Sequence, residues 1–406
     1  MKSQSPNTFI AFLFVFFNYY NPVSVYVTLF VNIILACYLL LLRKRSDIKL
    51  DLFVIGMSVF VLAWSLLIML VRAEVDFYVL GKYSRVLIST GFIVVICGGL
   101  RISANQLISV LGWIFFSHIL AIAAQLVFPG LNVPMASVFG LANPVDFFGE
   151  YSSRKMGLSG SFDTASQISI LSMVFFFLQY QIKQKNIYLF LMLFSFIACT
   201  MSSRAGMVLG VVLFVMFMFS HLLRTKGRGA ILMLSMSVAG AVVAFYLILP
   251  VLIHSFELDL IGVNPLVQTT SEYGAGGTIN ALTSTHLKPL DVPFIDLLFG
   301  LGYDPDGTDI GYVKLIYHLG IIGSTLILVL YLYLYVRVMS VKREMRHDIN
   351  VLILSKFFIL YLFVLLVMNY KSLEVYSRGS HDLLIIIFLV LISSICRLEK
   401  FNELAK

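Results

Sequence analysis

The residues of this sequence best suited to anion chemistry begin with an arginine set among small neighbours. Arg204 stands in the stretch Ser-Ser-Arg-Ala-Gly, residues 202–206, between two long apolar runs. A guanidinium group keeps its charge in proteins and donates hydrogen bonds in a planar fork, which suits phosphate oxygens. Small neighbours let a ligand or another backbone approach closely. An arginine at this place also fits simple snorkelling towards a membrane interface, and the spacing leaves both interpretations open.

A second basic segment ends in a glycine-rich turn. Residues 154–163 read Arg-Lys-Met-Gly-Leu-Ser-Gly-Ser-Phe-Asp, so two cations precede the turn and an apolar run follows from about Thr164. If a helix begins there, the positive end of its dipole and its unpaired N–H groups favour an anion. Asp163 or Thr164 is equally suited to capping that helix, and capping and anion binding are compatible. Arg154 and Lys155 are therefore candidate anion ligands.

A third segment carries the acidic residues. Asp304, Asp306 and Asp309 lie in a loop with Gly and Pro just before another apolar run. Their spacing resembles a calcium loop, but no glutamate follows at the twelfth position, so the EF-hand pattern fails. Beside Pro and Gly they also suit ordinary turns. Asp309 stands at the outer end of the following span, where a carboxylate is suited to act as a general base.

Several polar residues fall inside or beside predicted spans. Tyr312, Lys314 and His318 follow the acidic loop directly and are candidate substrate-binding residues. His118 and Lys356 lie within apolar runs, and ionisable residues there often mark function. A histidine near a helix end is more often satisfied by a neighbouring carbonyl, which is the interpretation we favour for His118.

The composition requires that membrane-spanning helices position these segments. Hydrophobic residues make up 60% of the 406 residues and charged residues 12%, whereas soluble domains carry roughly 25% charged residues. Lipid satisfies no backbone polar group, so continuous apolar runs of about 20 residues predict helices rather than the alternating strands of a barrel. We predict an all-α integral membrane protein, a bundle of about twelve helices in which residues 1–406 form a single transmembrane domain. The predicted spans are 8–20, 23–42, 51–71, 84–100, 107–128, 164–182, 187–202, 205–223, 230–253, 312–336, 349–369 and 382–396.

The distribution of charge predicts the orientation of these spans. If both termini are cytoplasmic, 18 of the 29 Lys and Arg residues fall on the inner side, as the positive-inside rule requires. Of the 21 acidic residues, 15 then face outwards. Two long outer loops, 129–163 and 254–311, are rich in turn-forming residues, and loops of this length are often functional. The apolar stretch Pro293–Leu301 in the second loop suits a helix lying on the membrane surface. The N-terminal run lacks a small-residue cleavage site, so we expect an anchor rather than a cleaved signal peptide.

Several classes of protein are disfavoured by motifs that the sequence lacks. There is no Walker loop, dinucleotide-binding glycine fingerprint, HExxH motif or nucleophile elbow, which argues against an ATP-driven pump, a metalloprotease and an acyl hydrolase. The cysteines fall inside apolar runs and are predicted to be small buried hydrophobes, not disulfides or zinc ligands. These cysteines are Cys37, Cys97, Cys199 and Cys396. The net charge of +8 follows from the inner loops, so no nucleic-acid partner is expected.

At its three motifs the sequence resembles the O-antigen polymerase and O-antigen ligase superfamily of bacterial inner-membrane glycosyltransferases. Residues 203–206 resemble the family's Ser-Arg-Gly/Ala stretch at the outer start of a span. Residues 154–162 are similar to its Arg-x-x-Gly-x-x-x-x-Phe loop end. Asp309-x-Gly311-Tyr312, with Gly320 and Gly323, resembles the element that closes its large periplasmic loop. The resemblance covers the order of motifs from about residue 154 to residue 323.

This resemblance implies a membrane fold like that of the C-type glycosyltransferases and a specific reaction. The implied substrates are undecaprenyl-diphosphate-linked oligosaccharides at the periplasmic face, with membrane lipid around them and no metal or other cofactor. Arg204 and Arg154, assisted by Lys155, would hold the diphosphate, while Asp309 is the candidate base. Asp163, Tyr312, Lys314 and His318 are the candidate substrate-binding residues. A chain-length regulator protein is a further candidate partner, whose binding the sequence leaves open.

Three functions remain open at the level of sequence. In ligases the closing motif begins with His eleven residues before the glycine, and Asp309 occupies that position relative to Gly320, which favours a polymerase and leaves the base in doubt. An O-antigen ligase that transfers polymer to lipid A-core remains close. A polysaccharide-unit flippase or other twelve-helix transporter is the main alternative of another class, although transporters usually place charge near the midplane and show repeats between halves.

Overall fold

A computed structural model shows that the chain folds as α-helices. It describes residues 8–20, 22, 25–42, 52–139, 154–222, 292–304, 310–370, 372–373, 375–377 and 379–404, and no strand occurs among them. The helices are α1 (Thr8–Tyr20), α2 (Val25–Leu42), α3 (Leu52–Arg72), α4 (Phe77–Leu100), α5 (Ala104–Val127), α6 (Asn132–Val138), α7 (Phe162–Lys183), α8 (Asn186–Thr200), α9 (Arg204–Leu222), α10 (Phe294–Phe299), α11 (Gly311–Glu344), α12 (Ile349–Met368) and α13 (Ser380–Leu404). A short 3-10 turn, Pro129–Leu131, precedes α6.

Six of these helices are long and apolar enough to cross a membrane. They are α3, α4, α5, α7, α11 and α12. Shorter apolar helical stretches also occupy the other predicted spans within the described residues, and the predicted span 230–253 lies outside those residues. The fourth predicted span begins too late at residue 84, because α4 starts at Phe77 and carries Lys82 and Arg85 on its first three turns.

The chain divides into two compact units. Unit 1 contains Met1–Ile114, Val138–Gly140 and Pro289–Lys406, and unit 2 contains Phe115–Ser137 and Leu141–Lys288. In unit 1, α4 packs against α2, α3 and α13, while α11 packs against α3, α10, α12 and α13. In unit 2, α7, α8 and α9 all pack against one another.

A break in α11 gives unit 1 its most distinctive local structure. Gly320 has φ 68° and ψ −179°, which interrupts the helix in a region of backbone space that essentially only glycine occupies. The interruption frees carbonyl groups that would otherwise bond within the helix. The Tyr317 carbonyl accepts from the N–H groups of Leu301 and Gly302 at 2.7 and 3.0 Å, and the Leu319 carbonyl accepts from the Trp64 indole N–H at 2.9 Å. Helix α10 and the turn after it therefore dock on the break.

Unit 1 also buries a stretch of irregular chain between α12 and α13. Val375 and Tyr376 are fully buried there. The Val375 N–H donates to the Asn369 side chain at 3.0 Å, and the Tyr376 N–H donates to the Tyr331 hydroxyl at 2.8 Å. Buried backbone groups need such partners, so side chains replace the hydrogen bonds that a helix would supply.

Substitution of Gly320 by alanine should destabilise the protein strongly. A Cβ atom at this position would lie 2.3 Å from the Phe299 carbonyl carbon and 2.5 Å from the Gly300 nitrogen, and its φ is unfavourable as well. We expect a loss of at least about 1–3 kcal/mol, seen as a lower Tm of the purified protein in detergent. Gly91→Ala in α4 is the matched control, because open space surrounds that glycine. Equal Tm values for the two variants would contradict this account of the break.

Candidate functional site: the basic loop end of unit 2

Unit 2 holds the basic loop end, residues 154–161, by three backbone N–H groups. The Lys155 N–H donates to the Met201 carbonyl at 3.0 Å. The Gly157 N–H donates to the Gln125 side-chain oxygen at 2.9 Å, and the Leu158 N–H donates to His118 Nδ1 at 3.2 Å. The loop end is thereby fixed both to α5 and to the turn that precedes α9.

An apolar contact supports the same loop end. Met156 is fully buried and packs with Phe162 and Ala136 of α6. The Arg154 guanidinium carbon lies 5.4 Å from the centre of the Phe162 ring, within the range of a cation–π contact. The first cation of the motif is therefore placed over the first residue of α7.

The starts of α7 and α9 are capped by serines and lie against each other. Ser161 accepts from the Thr164 N–H at 3.1 Å, and Ser203 accepts from the Gly206 N–H at 3.1 Å. The Ser203 hydroxyl then donates to the Ser166 hydroxyl at 2.9 Å. Each cap satisfies one of the four N–H groups that a helix start leaves without an intrahelical partner. Two positive helix ends therefore meet beside the basic loop end.

The cap of α7 differs from the one expected from sequence. Asp163 and Thr164 were the candidates, but α7 begins at Phe162 and the capping side chain is Ser161. Asp163 lies in the first turn and is partly buried, and its carbonyl accepts from the Ser166 hydroxyl at 2.8 Å. The helix dipole favours a carboxylate at this place.

The small residues after Arg204 serve helix packing. A Cβ atom on Gly206 would lie 2.3 Å from the Ser166 Cβ, and one on Gly210 would lie 3.0 Å from the Cys199 sulfur. The space that the glycines leave is therefore occupied by α7 and α8. Arg204 is the first residue of α9, and its side chain lies outside the described part of the structure.

A backbone hydrogen bond therefore brings the sequence-predicted segments of unit 2 together. The hydrogen bond from Lys155 to Met201 joins the two basic motifs, which are nearly fifty residues apart in the chain. The Lys155 side chain is 5% exposed, and burial lowers its pKa. Together, the two helix ends and the basic residues of the loop end make this part of unit 2 suited to an anion such as a phosphate group.

Unit 1 carries a separate polar cluster around Asp304. One oxygen of its carboxylate accepts from Lys314 at 3.3 Å, and the other lies 2.8 Å from His318 Nε2. His318 is fully buried and its Nδ1 lies 3.1 Å from the Tyr83 hydroxyl. The Asp304 N–H donates to Asp76, whose side chain caps α4. The predicted substrate-binding residues Lys314 and His318 therefore already share a carboxylate partner.

The other candidates of the closing motif have simpler surroundings or lie outside the described residues. The Tyr312 hydroxyl donates to the Leu366 carbonyl at 2.5 Å. Asp309 and Asp306 lie outside the described residues, so the assignment of Asp309 as base stays a prediction. The sequence analysis considered Asp304 only as part of a calcium-like loop or of an ordinary turn, and it overlooked Tyr83. The one available signal was the spacing of Lys314 and His318, which places both on one helix face.

The structure tests two further sequence predictions, one through a hydrogen bond and one through burial. His118 Nε2 lies 3.2 Å from the Ala165 carbonyl, which confirms a carbonyl partner, but the ring also accepts from the loop end. Cys97 and Cys199 are buried as expected, whereas the prediction was wrong for Cys37, which is exposed on α2. An exposed thiol is compatible with the apolar surface of a helix of this composition.

No protein-family model matches the chain, and no curated protein sequence matches it either.

The Asp304 cluster predicts a pH dependence of stability. Burial raises the pKa of the Asp304 carboxyl, but the hydrogen bonds and charges of His318 and Lys314 outweigh it and leave the pKa below its usual 3.8. A carboxyl whose pKa is depressed on folding stabilises the protein above the unfolded-state pKa and loses that contribution as the pH falls through the folded-state value. Asp304→Ala should therefore lower the Tm at pH 7, and by less as the pH falls below about 4.

The matched variant for that measurement is Asp304→Asn. It keeps an oxygen that accepts from His318 but removes the charge, so its Tm should fall between those of the wild type and Asp304→Ala. The alanine variant leaves a buried N–H without a partner, which costs about 1–3 kcal/mol. A difference between wild type and Asp304→Ala that stays constant from pH 7 to pH 3 would contradict the proposed charge.

Proposed function

We propose that this protein is a polysaccharide polymerase of the bacterial inner membrane, a glycosyltransferase that joins undecaprenyl-diphosphate-linked oligosaccharide repeat units at the periplasmic face. The product is O-antigen or a capsular polysaccharide. On this proposal the protein spans the membrane about twelve times, with both termini cytoplasmic and a fold like that of the C-type glycosyltransferases. The protein then acts in the biosynthesis of lipopolysaccharide or of another polysaccharide.

The observation that carries the proposal is the joining of the two basic motifs in unit 2. The hydrogen bond from Lys155 to Met201 holds residues 154–155 beside the start of α9, where Arg204 stands. A lipid-diphosphate leaving group develops negative charge, and fixed cations and helix N-termini stabilise such charge most effectively when they are preorganised. The apolar helices supply an environment in which a polyprenyl tail is soluble.

The proposed reaction needs one nucleophile, one base and one leaving group. An acceptor hydroxyl attacks the anomeric carbon of the donor sugar, the new C–O bond forms, and the bond from that carbon to the diphosphate oxygen breaks. The lipid diphosphate leaves with the electron pair, held by Arg204, Arg154 and Lys155. The hydroxyl proton passes to a carboxylate, for which Asp309 is the candidate. No nucleotide and no metal enters this scheme.

Replacement of Arg204 by alanine should abolish long-chain polysaccharide. Loss of one preorganised charge donor typically costs about 10²–10³ in rate, and lysine should rescue only in part because it lacks the planar fork. The measurement is the length distribution of surface polysaccharide in cells whose only copy is the variant, with membrane levels checked by immunoblot. Lys183→Ala, at the other end of α7, is the control. Unchanged long-chain polymer in Arg204→Ala would contradict the catalytic role.

The same cells separate a polymerase from a ligase. Loss of a polymerase leaves core lipid that carries a single repeat unit, whereas loss of a ligase leaves polymer on the lipid carrier. We expect the first pattern from Arg204→Ala and from Arg154→Ala.

Transport of a polysaccharide unit is the second candidate function, because unit 1 buries a carboxylate in the first turn of α13. Asp382 is 2% exposed and accepts from the Ser89 hydroxyl at 2.6 Å. Its charge attracts the Arg85 guanidinium, whose Nε has no hydrogen-bond partner among the described residues. Buried ionisable residues in apolar helices and broken helices such as α11 are features of transporters.

An assay in detergent solution distinguishes these two functions, because transport requires a membrane barrier and glycosyl transfer does not. Purified protein is incubated with lipid-diphosphate-linked repeat unit, without nucleotide and with a chelator present. A polymerase should produce a ladder of longer lipid-linked products, and Arg204→Ala should produce none. The absence of any elongation by folded wild-type protein would favour the transporter.

A further inference from the structure

Two polar side chains of α5 hold the basic loop end of unit 2, and neither has a role in the reaction proposed above. Gln125 and His118 are both fully buried, in a helix that is otherwise apolar enough to cross a membrane. Burying an amide or an imidazole costs free energy unless its polar atoms are hydrogen-bonded. Each of these side chains accepts a hydrogen bond from one backbone N–H of the loop end, at Gly157 and Leu158 respectively.

We propose that His118 and Gln125 are positioning residues that place Arg154 and Lys155 for binding a diphosphate. This inference rests on the proposed function and assigns it two further residues. The N–H groups that donate to them, at Gly157 and Leu158, lie two and three residues after Lys155 in the chain, so these hydrogen bonds fix the backbone next to the two cations. The third N–H, at Lys155, donates to the Met201 carbonyl. This hydrogen bond fixes the distance from the loop end to the start of α9.

The hydrogen bonds of His118 define its tautomer and join it to α7 as well. Because Nδ1 accepts from the Leu158 N–H, the proton of the neutral ring is on Nε2. Nε2 lies 3.2 Å from the Ala165 carbonyl and 3.3 Å from the Ser169 hydroxyl, both near the start of α7. One ring therefore ties the loop end to the helix whose positive end faces the proposed anion.

Gly157 allows this close approach. Its φ is +56°, and a Cβ atom there would lie 2.6 Å from His118 Cε1 and 2.9 Å from the Ile122 side chain. A residue with a side chain would push the loop end away from α5. The turn is thus shaped to bring its N–H groups onto the two acceptors.

The Gln125 side chain has a second property that suits a site for an anion. Its oxygen is used by Gly157, while its amide nitrogen has no hydrogen-bond partner among the described residues. A buried N–H donor without a partner is unusual. Leucine at this position removes both the acceptor and the donor, whereas glutamate keeps an acceptor for Gly157.

The test measures the binding of inorganic pyrophosphate to the purified full-length protein by calorimetry, together with Tm. Gln125→Leu and His118→Leu remove the two acceptors. His118→Asn is the conservative variant, because the asparagine side-chain oxygen falls where Nδ1 stood. Gln179→Leu is the matched control, since Gln179 is a buried glutamine of α7 with no hydrogen bond to either side-chain atom among the described residues.

We expect at least about a tenfold rise in the Kd for pyrophosphate in Gln125→Leu and His118→Leu, because small displacements of a binding group cost large factors. His118→Asn should recover most of the affinity, and Gln179→Leu should bind as the wild type does at whatever Tm it shows. A merely structural role would lower the Tm of Gln125→Leu and His118→Leu and leave the Kd of both unchanged.

The outcomes separate this inference from the function on which it rests. A wild type that binds pyrophosphate, an Arg154→Ala variant that binds it weakly, and His118→Leu and Gln125→Leu variants that bind it normally would overturn the positioning role alone. A wild type that does not bind pyrophosphate would overturn the diphosphate site and this inference together. If His118→Leu fails to fold, the comparison of Gln125→Leu with Gln179→Leu decides the matter.

Discussion

The need to hydrogen-bond every buried backbone group constrains both units of this protein. Apolar surroundings offer no water to pair with an N–H or a carbonyl that a helix leaves over. At Gly320 the hydrogen-bond pattern of α11 is interrupted. The Tyr317 carbonyl instead accepts from the turn after α10, and the Leu319 carbonyl accepts from Trp64. In unit 2 the irregular chain before α7 is paired by α5 and by the turn after α8. Irregular backbone thus occurs where polar partners from other elements meet it.

Glycine is what lets those partners come close enough. Gly320 and Gly300 lie in contact across the break of α11, and Gly206 lies against Ser166 where α9 meets α7. The small residues beside Arg204 had suggested room for a ligand, but that room is taken by neighbouring helices. Their contribution to a binding site is indirect, since they set how closely two helix starts approach. Any anion would meet the ends of those helices rather than a gap within them.

The sequence predicted the helices well because long apolar runs have few alternatives in composition and length. It also placed both basic motifs at the ends of such runs, which is why their meeting in unit 2 was foreseeable in outline. The hydrogen-bond partners of single polar residues could not be predicted, since Gln125 and His118 lie 32 and 40 residues from the N–H groups they bind. No local pattern marks such a pair. The break at Gly320 was equally hidden, because glycine occurs in many intact helices of this chain, as at Gly91.

The two cations of the loop end in unit 2, Arg154 and Lys155, respond differently to burial. Burial lowers the pKa of Lys155, because a compact ammonium loses much hydration when it leaves water. A guanidinium is more weakly hydrated and stays charged in proteins. The Arg154 guanidinium, which lies over an aromatic ring, therefore keeps its charge beside a lysine whose pKa burial lowers. A diphosphate that approaches this loop end would in turn stabilise the protonated form of Lys155 and oppose the lowering of its pKa by burial. The arginine therefore keeps a fixed charge at the loop end, whereas the pKa of the lysine depends on its surroundings.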